Sequence, residues 1–268
     1  MEDLALYVRD GEAYVGTELT QGGWDPDAAN GGAVLALLGH CLEDVPTLVP
    51  MTVSRFTADL VRPVPIGRRM HVVPTVLREG KKIQVVLLRL LADGVEYVRA
   101  TALRLRDADL RGHEGLPVSS TESRPADLMG PPETAQSLRD LGVGSPGFLR
   151  AVDMRRAPLT DSSGQGIWLR LEASVVAGEP VRTTARLAVC FDFANQIGVD
   201  LHTGSVTTIN PDVTAHVLRA PTDEWIAITG ETRYNHGVGR GVSYAEFSDN
   251  DGVFAVASIS QLVQLRPT

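Results

Sequence analysis

The sequence predicts an α+β fold built from two similar modules, each with one helix and a set of long antiparallel strands. Residues 56–63 resemble residues 213–220, and β-rich stretches of similar length follow both segments. One compact helical run precedes each segment, at 31–45 and at roughly 183–199. Strand-like stretches are joined by short turns such as Asp93-Gly94, which connect antiparallel neighbours. A repeat of this size indicates a duplicated structural unit.

Length and composition limit the class of protein and its partners. The chain has 268 residues, of which 43% are hydrophobic and 22% charged, as in a globular protein with a buried core. The net charge of −8 argues against nucleic acid or an anionic membrane as the main partner. No apolar run approaches the ~18 residues of a membrane span. Cys41 and Cys190 fall within apolar helical patterns, so we expect reduced thiols and a cytoplasmic location.

The N-terminal module is predicted to cover residues 1–106. Two alternating segments, 4–8 and 13–17, predict a hairpin. A glycine-rich stretch then leads into a helix, because Val34, Leu37, Leu38, Cys41 and Leu42 recur with helical spacing. Strands are predicted near 50–61, 69–78, 82–91 and 95–106.

The C-terminal module is predicted to cover residues 147–268. It follows a segment, 107–146, that is rich in charged residues, serine, proline and glycine and is predicted to be a linker with a short helix around 133–141. Pro180 precedes the second helix. Strands are predicted near 148–156, 166–173, 205–218, 224–233, 241–248 and 252–265.

Four stretches carry a resemblance to a known family. They are Asn30-Gly31-Gly32, the run from Phe56 through Arg62-Pro63 to Gly67, the turn Arg78-Glu79-Gly80-Lys81, and the run from Gly252-Val253 to Gln261. In this order the chain resembles the double-hotdog acyl-CoA thioesterases of the bacterial thioesterase II type and their actinobacterial relatives. The resemblance implies two tandem hotdog modules, each a long central helix wrapped by an antiparallel sheet, and hydrolysis of an acyl-CoA or acyl-carrier thioester.

The resemblance also implies a catalytic set. In that family a water is held by an aspartate on the second helix, a serine or threonine at the start of a strand, and a glutamine on the last strand. Asp192 and Gln261 match the first and third positions. Asn210 stands at the second position, and Thr208 is the nearest hydroxyl that could replace it. Where Asp192 and Gln261 stand, the first copy is expected to carry leucine.

Asp192 and Gln261 also stand out without the family. Asp192 is the one charged residue in the run 187–199, and a helix that is apolar nearly all round is buried. Burial of an unpaired carboxylate is costly and shifts its pKa, which makes it a functional candidate; pairing with an arginine is the alternative. Strand alternation places Gln261 with Ala257 and Ile259, facing the helix.

The predicted substrate-binding residues are of three kinds. Gly31 and Gly32 either allow the helix to pack closely on the sheet or offer amides that polarise the thioester carbonyl, a role for which Thr183-Thr184 competes. Apolar residues such as Phe193 and Leu35 are expected to set the acyl-chain length. Arg62 and Arg219 are strand-end charges or contacts for a CoA phosphate.

The sequence lacks the motifs of several other classes of enzyme. The six histidines show no metal-ligand spacing, no Gly-x-Ser-x-Gly elbow occurs, and no cofactor is expected beyond the coenzyme A of the substrate. A hotdog hydratase is disfavoured because Ile197 stands where its histidine would be. A non-catalytic acyl-thioester binding protein stays open, and a homodimer is a further expectation.

Overall fold

The computed structural model describes residues 4–23, 25–110, 112–115, 125–140, 147–160, 164–196 and 206–265. The N-terminal module contains β1 (Ala5–Asp10), β2 (Ala13–Gly16), α1 (Gly31–Leu42), β3 (Met51–Leu60), β4 (Arg69–Arg78), β5 (Ile83–Ala92) and β6 (Val95–Arg106). The C-terminal module contains α2 (Pro125–Met129), β7 (Gln136–Ser137), β8 (Val152–Pro158), β9 (Gln165–Leu171), β10 (Ser174–Val176), α3 (Thr183–Phe191), β11 (Val206–Ile209), β12 (Asp212–Val217), β13 (Ile226–Asn235), β14 (Arg240–Asp249) and β15 (Gly252–Leu265).

The fifteen strands found in the described residues belong to one sheet, ordered β10-β1-β2-β4-β5-β6-β3-β12-β15-β14-β13-β9-β8-β7, with β11 paired to β15. The modules join where β3 pairs antiparallel with β12, and there Thr57 lies opposite Thr214. The two repeated segments therefore pair with each other about an approximate two-fold axis. The predicted fold class, two tandem hotdog modules, is confirmed.

Helices α1 and α3 pack directly against each other. Apart from Gly31, every residue of α1 is buried. A Cβ atom on Gly39 would lie 2.7 Å from the carbonyl oxygen of Thr184, and one on Gly32 would lie 2.9 Å from that of Val189. These contacts make α1 and α3 antiparallel neighbours. The predicted close packing of Gly32 is thus against the other helix rather than against the sheet.

Part of the predicted linker, 107–146, is folded. Met129 and Leu138 are buried, and the indole of Trp168 donates a hydrogen bond of 3.1 Å to the carbonyl of Gly130. The helix predicted around 133–141 is wrong: this stretch holds a 3₁₀ turn and β7, which pairs with β8. Its apolar residues cover the C-terminal module, so residues 125–140 belong to that module.

The chain is irregular at two places near the second helix. The helix predicted over 183–199 is α-helical only to Phe191 and tightens into a 3₁₀ turn over Asp192–Gln196; residues 197–205 lie outside the described residues. The strand predicted over 205–218 breaks at Asn210-Pro211, where proline lacks the amide that a ladder requires. None of the helices in the described part of the chain has the length and apolar character needed to span a bilayer.

Candidate active site

Asp192 lies at the junction of α3 and the 3₁₀ turn, beside the start of α1. Its Oδ2 accepts a hydrogen bond of 3.1 Å from the amide of Gly32, and its Oδ1 accepts one of 3.0 Å from Nδ2 of Asn210. The carboxylate forms no ion pair with any described residue, so the arginine pairing considered from the sequence is not seen. Burial raises the pKa of Asp192, and the hydrogen bonds from Asn210 and Gly32 oppose that rise only partly.

The start of α1 is shaped to fit this carboxylate. A Cβ atom on Gly31 would lie 2.6 Å from Oδ1 of Asp192 and 2.7 Å from Oδ2, so no larger residue fits without displacing it. Asn30 caps the helix, and its Oδ1 accepts from the Gly32 amide at 2.9 Å. Gly31 is the first residue of the helix, and an amide in that position has no intrahelical acceptor.

Asn210 is held by a second asparagine that the sequence analysis missed. Nδ2 of Asn195 donates to Oδ1 of Asn210 at 2.9 Å, which turns the Nδ2 group of Asn210 towards Asp192. Nδ2 of Asn210 also donates to the backbone carbonyl of Asp192 at 3.1 Å. The available signal was that Asn195 is a second polar side chain in the apolar helical run containing Asp192.

Two buried polar atoms near Asp192 have no hydrogen-bond partner among the described residues. They are Oδ1 of Asn195 and Oγ1 of Thr208, whose residues are 4% and 3% exposed. Buried polar atoms are nearly always hydrogen-bonded to protein or to ordered water. These two atoms therefore mark a position suited to a water molecule or a polar group of a ligand.

Gln261 is buried, as the strand alternation predicted, but makes no hydrogen bond to Asp192. Its Nε2 donates to Oγ of Ser243 at 2.6 Å, and its Oε1 is a third buried atom without a partner among the described residues. The expectation of a leucine at its counterpart is wrong. Because Thr214 pairs with Ser258 and Thr57 pairs with Thr101, the strand position equivalent to Gln261 is occupied by Arg104.

A cavity of about 420 Å³ opens beside Asp192. Six of the predicted site residues line it: Gly31, Arg62, Asp192, Phe193, Thr208 and Asn210. Its wall also includes Val34 and Leu60, whereas the predicted Leu35 is fully buried and is not among its described lining residues. The ring of Phe193 stacks on Phe148 with centroids 5.7 Å apart, which fixes the inner wall. Gly32 and Gln261 lie outside the lining.

The two predicted arginines differ in environment. Arg62 is exposed at the rim, where its Nη1 donates to the carbonyl of Glu96 at 2.7 Å. Arg219 instead forms a two-bond ion pair of 2.8 and 2.5 Å with buried Asp249. Of the two alternatives for Arg219, this ion pair favours a strand-end charge over a phosphate contact, because its guanidinium is already neutralised by a carboxylate.

The start of α3 is not available to this cavity. The amide of Thr184 donates to Oε1 of Glu43 at 2.6 Å, and Thr183-Thr184 lines a different cavity. Among the described residues no group of three metal-ligating side chains occurs.

Comparison with known proteins gives a match over most of the chain. A family model described as the acyl-CoA thioesterase N-terminal domain matches residues 20–105, and one described as the acyl-CoA thioesterase C-terminal domain matches residues 122–265. No curated protein sequence matches this chain.

Several solved structures share the fold over nearly their whole length. A candidate thioesterase II of Thermobifida fusca is 17% identical, with a TM-score of 0.69 over 96% of this chain and 95% of that one. The acyl-CoA thioesterase II TesB2 of Mycobacterium marinum is 15% identical, with a TM-score of 0.62 over 93% and 96%. A conserved hot dog protein of Alicyclobacillus acidocaldarius is 15% identical, with a TM-score of 0.64 over 100% and 98%. At these identities the likeness shows the fold.

Proposed function

Because the chain belongs to the acyl-CoA thioesterase family and is a thioester hydrolase, we propose that Asp192 activates the water that attacks the substrate carbonyl. The observation that supports this is a buried carboxylate without a cation, placed at a helix start beside two unpaired polar atoms. Burial raises the pKa of Asp192, and a stronger base takes a proton from water more readily.

The attacking water would lie between Asp192, Oγ1 of Thr208 and Oδ1 of Asn195, whose hydrogen-bonding capacity is unused. As the water oxygen bonds to the carbonyl carbon, Asp192 accepts its proton. The oxyanion is stabilised by the helix-start amide of Gly31, because helix N-termini favour negative charge. Breaking of the carbon–sulfur bond releases the thiol, which takes the proton back from Asp192, and leaves the free acid.

Asn210 and Gln261 would support this arrangement. Asn210 orients the carboxylate from the position where the family carries a hydroxyl, and Thr208 supplies the hydroxyl instead. The amide of Gln261 is oriented by Ser243, which leaves Oε1 free to accept from a water in the same region. Asn195 fixes the orientation of Asn210 and is a positioning residue in this scheme.

The substrate is a thioester whose acyl chain would lie against Val34, Leu60 and Phe193. The coenzyme A portion would leave the cavity past Arg62, whose exposed guanidinium suits a phosphate. No cofactor is proposed beyond the coenzyme A of the substrate. A carrier-protein thioester would enter by the same opening.

Thiol release from short, medium and long acyl-CoAs tests this function. The Asp192→Asn variant is expected to lose about 10²-fold or more in rate, the usual contribution of an acid–base group. The matched control is Glu43→Gln, which alters the carboxylate that accepts from the amide of Thr184 at the start of α3. This variant is expected to keep the native rate. An unchanged rate in Asp192→Asn would remove Asp192 from the mechanism.

We also propose a cellular location and an oligomeric state. A cytoplasmic location is supported by the two free, buried cysteines, Cys41 and Cys190. A homodimer is supported by exposed apolar residues that share the outer face of neighbouring strands, namely Val242, Tyr244, Val256 and Leu262. Sedimentation of the native protein and of Tyr244→Glu tests the dimer, because the charge would release a monomer from a face-to-face contact.

A further inference from the structure

A second cavity, also of about 420 Å³, lies at the start of α3. It is built from elements equivalent to those of the hydrolytic cavity. The start of α3 replaces the start of α1, the start of β3 replaces β11, and residues 217–220 replace residues 60–63. We call it the α3 cleft. The two-fold repeat therefore produces two clefts, of which the proposed hydrolysis uses one.

The polar groups of the α3 cleft are unsuited to hydrolysis. Glu43 accepts the Thr184 amide as Asp192 accepts the Gly32 amide, but Glu43 is exposed whereas Asp192 is buried. Among the described residues no asparagine side chain donates to Glu43, and Arg104, at the strand position equivalent to Gln261, lines the cleft. Glu43 therefore lacks the enclosed setting that makes Asp192 a candidate base.

Arg104 is the feature that points to a ligand. It is 5% exposed, and its guanidinium donates to the carbonyls of Leu42 and Val45 and to Oε1 of Gln84, all of which are neutral acceptors. It forms no ion pair within the described part of the chain, and the carboxylates of Glu43 and Glu79 act on its charge only from beyond salt-bridge distance. A buried cation is costly unless an anion pairs with it, and burial lowers the pKa of Arg104 accordingly.

The rest of the lining is mixed, with four threonines beside a group of apolar residues that would suit a hydrocarbon chain. The apolar lining residues are Val45, Pro46, Met51, Val53, Leu187, Val217 and Ala220. Three of the five N–H groups of the Arg104 guanidinium are used by the bonds above, which leaves two for an anion. Guanidinium groups match carboxylates in geometry.

We propose that the α3 cleft binds a free aliphatic carboxylic acid, with its carboxylate on Arg104 and its chain along the apolar wall. The ligand belongs to the class of product that thioester hydrolysis releases. The site therefore gives the enzyme a second, non-hydrolytic place for that class of molecule.

Calorimetric titration of dodecanoate into the whole protein tests the proposal, with dodecanol as the uncharged comparison. The native protein is expected to bind the acid, and its affinity for the alcohol is expected to be lower by about tenfold or more. Arg104→Gln is expected to lose about tenfold or more in affinity for the acid. Thr47→Trp, which fills the cleft from its partly exposed wall without removing Arg104, is expected to abolish this site. Thioester hydrolysis should persist in both variants, which also shows that they fold.

The matched control blocks the other cavity. Val61→Trp places the same bulk at the rim of the hydrolytic cavity and is expected to reduce thioester hydrolysis while leaving acid binding at the α3 cleft intact. The proposal is overturned if acid binding disappears in Val61→Trp and survives unchanged in Arg104→Gln and Thr47→Trp. It is also overturned if the native protein binds no acid while hydrolysing thioesters.

Discussion

The side-chain amide of Asn210 donates to both the carboxylate and the backbone carbonyl of Asp192, at 3.0 and 3.1 Å. This pairing depends on the strand break at Pro211, which frees Asn210 from the sheet ladder and lets it reach the end of α3. A hydroxyl side chain has no second donor and could not hold both oxygens at once. The asparagine thus orients the Asp192 carboxylate in a way that a hydroxyl residue could not.

Gly31→Ala is expected to lower the rate of thioester hydrolysis by about 10²-fold, because the added methyl group would displace Asp192 by a fraction of an ångström to an ångström. The protein should remain folded, since the helix gains a better helix former. Steady-state kinetics and circular dichroism together check this. Gly80→Ala, in a surface turn, should match the native enzyme, and equal rates for both variants would contradict the proposed contact.

Thr208→Val is expected to slow hydrolysis by roughly tenfold or more, because it removes the unpaired hydroxyl while keeping the shape of the side chain. The neighbouring Thr207→Val serves as control, since its hydroxyl lies outside the cavity lining. Comparison of kcat for the two variants checks the assignment. A native rate in Thr208→Val would mean that the Thr208 hydroxyl does not hold the attacking water.

Asp192→Asn is expected to stabilise the fold at neutral pH. The pKa of Asp192 is raised in the folded state, so the native protein loses stability as the pH rises from the usual pKa range of an aspartate through the raised pKa, and below that usual range the cost disappears. The variant should melt roughly 2 °C or more above the native protein at pH 7. The difference should shrink as the pH falls below the usual range of an aspartate. Calorimetric melting between pH 4 and pH 8 measures it, and a variant that is less stable at pH 7 would refute the prediction.

Arg62 and Arg219 should behave differently when replaced by glutamine. Arg219→Gln leaves Asp249 buried without its partner and is expected to cost about 3 kcal/mol of unfolding free energy, with little change in kcat. Arg62→Gln should instead raise KM for acyl-CoA and leave stability nearly unchanged. Denaturant unfolding and kinetics on both variants separate these effects, and a common phenotype would mean that the two arginines share one role.

Alternation, turns and the repeat were sufficient to predict most of the long strands of both modules and the burial of Asp192 and Gln261, but not the short strands β7 and β10. The division of labour between the arginines was not predictable, because Arg62 and Arg219 occupy matching positions and differ only in the carboxylate that Asp249 brings from β14. The partner of Gln261 was likewise hidden. Ser243 reaches it only through the pairing of β14 with β15, and a long-range contact of this kind leaves no local pattern.

Asn195 could be noticed from the sequence but not assigned. Its role depends on the shift from α-helix to 3₁₀ turn at Asp192, because Asn195 lies within that turn. Helical periodicity assumes one uniform rise and twist, so it does not give the direction of a side chain in the turn. The linker was overextended for a related reason, since isolated apolar residues such as Met129 and Leu138 carry no periodic signal.

The pairing of β3 with β12 has a consequence for any attempt to divide the protein. Each cleft takes residues from both halves, since the carboxylate of Asp192 rests on the first helix and Arg104 lies in a cavity opened by the second. A separated half would carry half of each cleft and would expose a long central strand as a free edge, which is prone to aggregation. The chain is in effect a dimer whose subunits are permanently tethered, so one half can lose its catalytic groups while the other retains them.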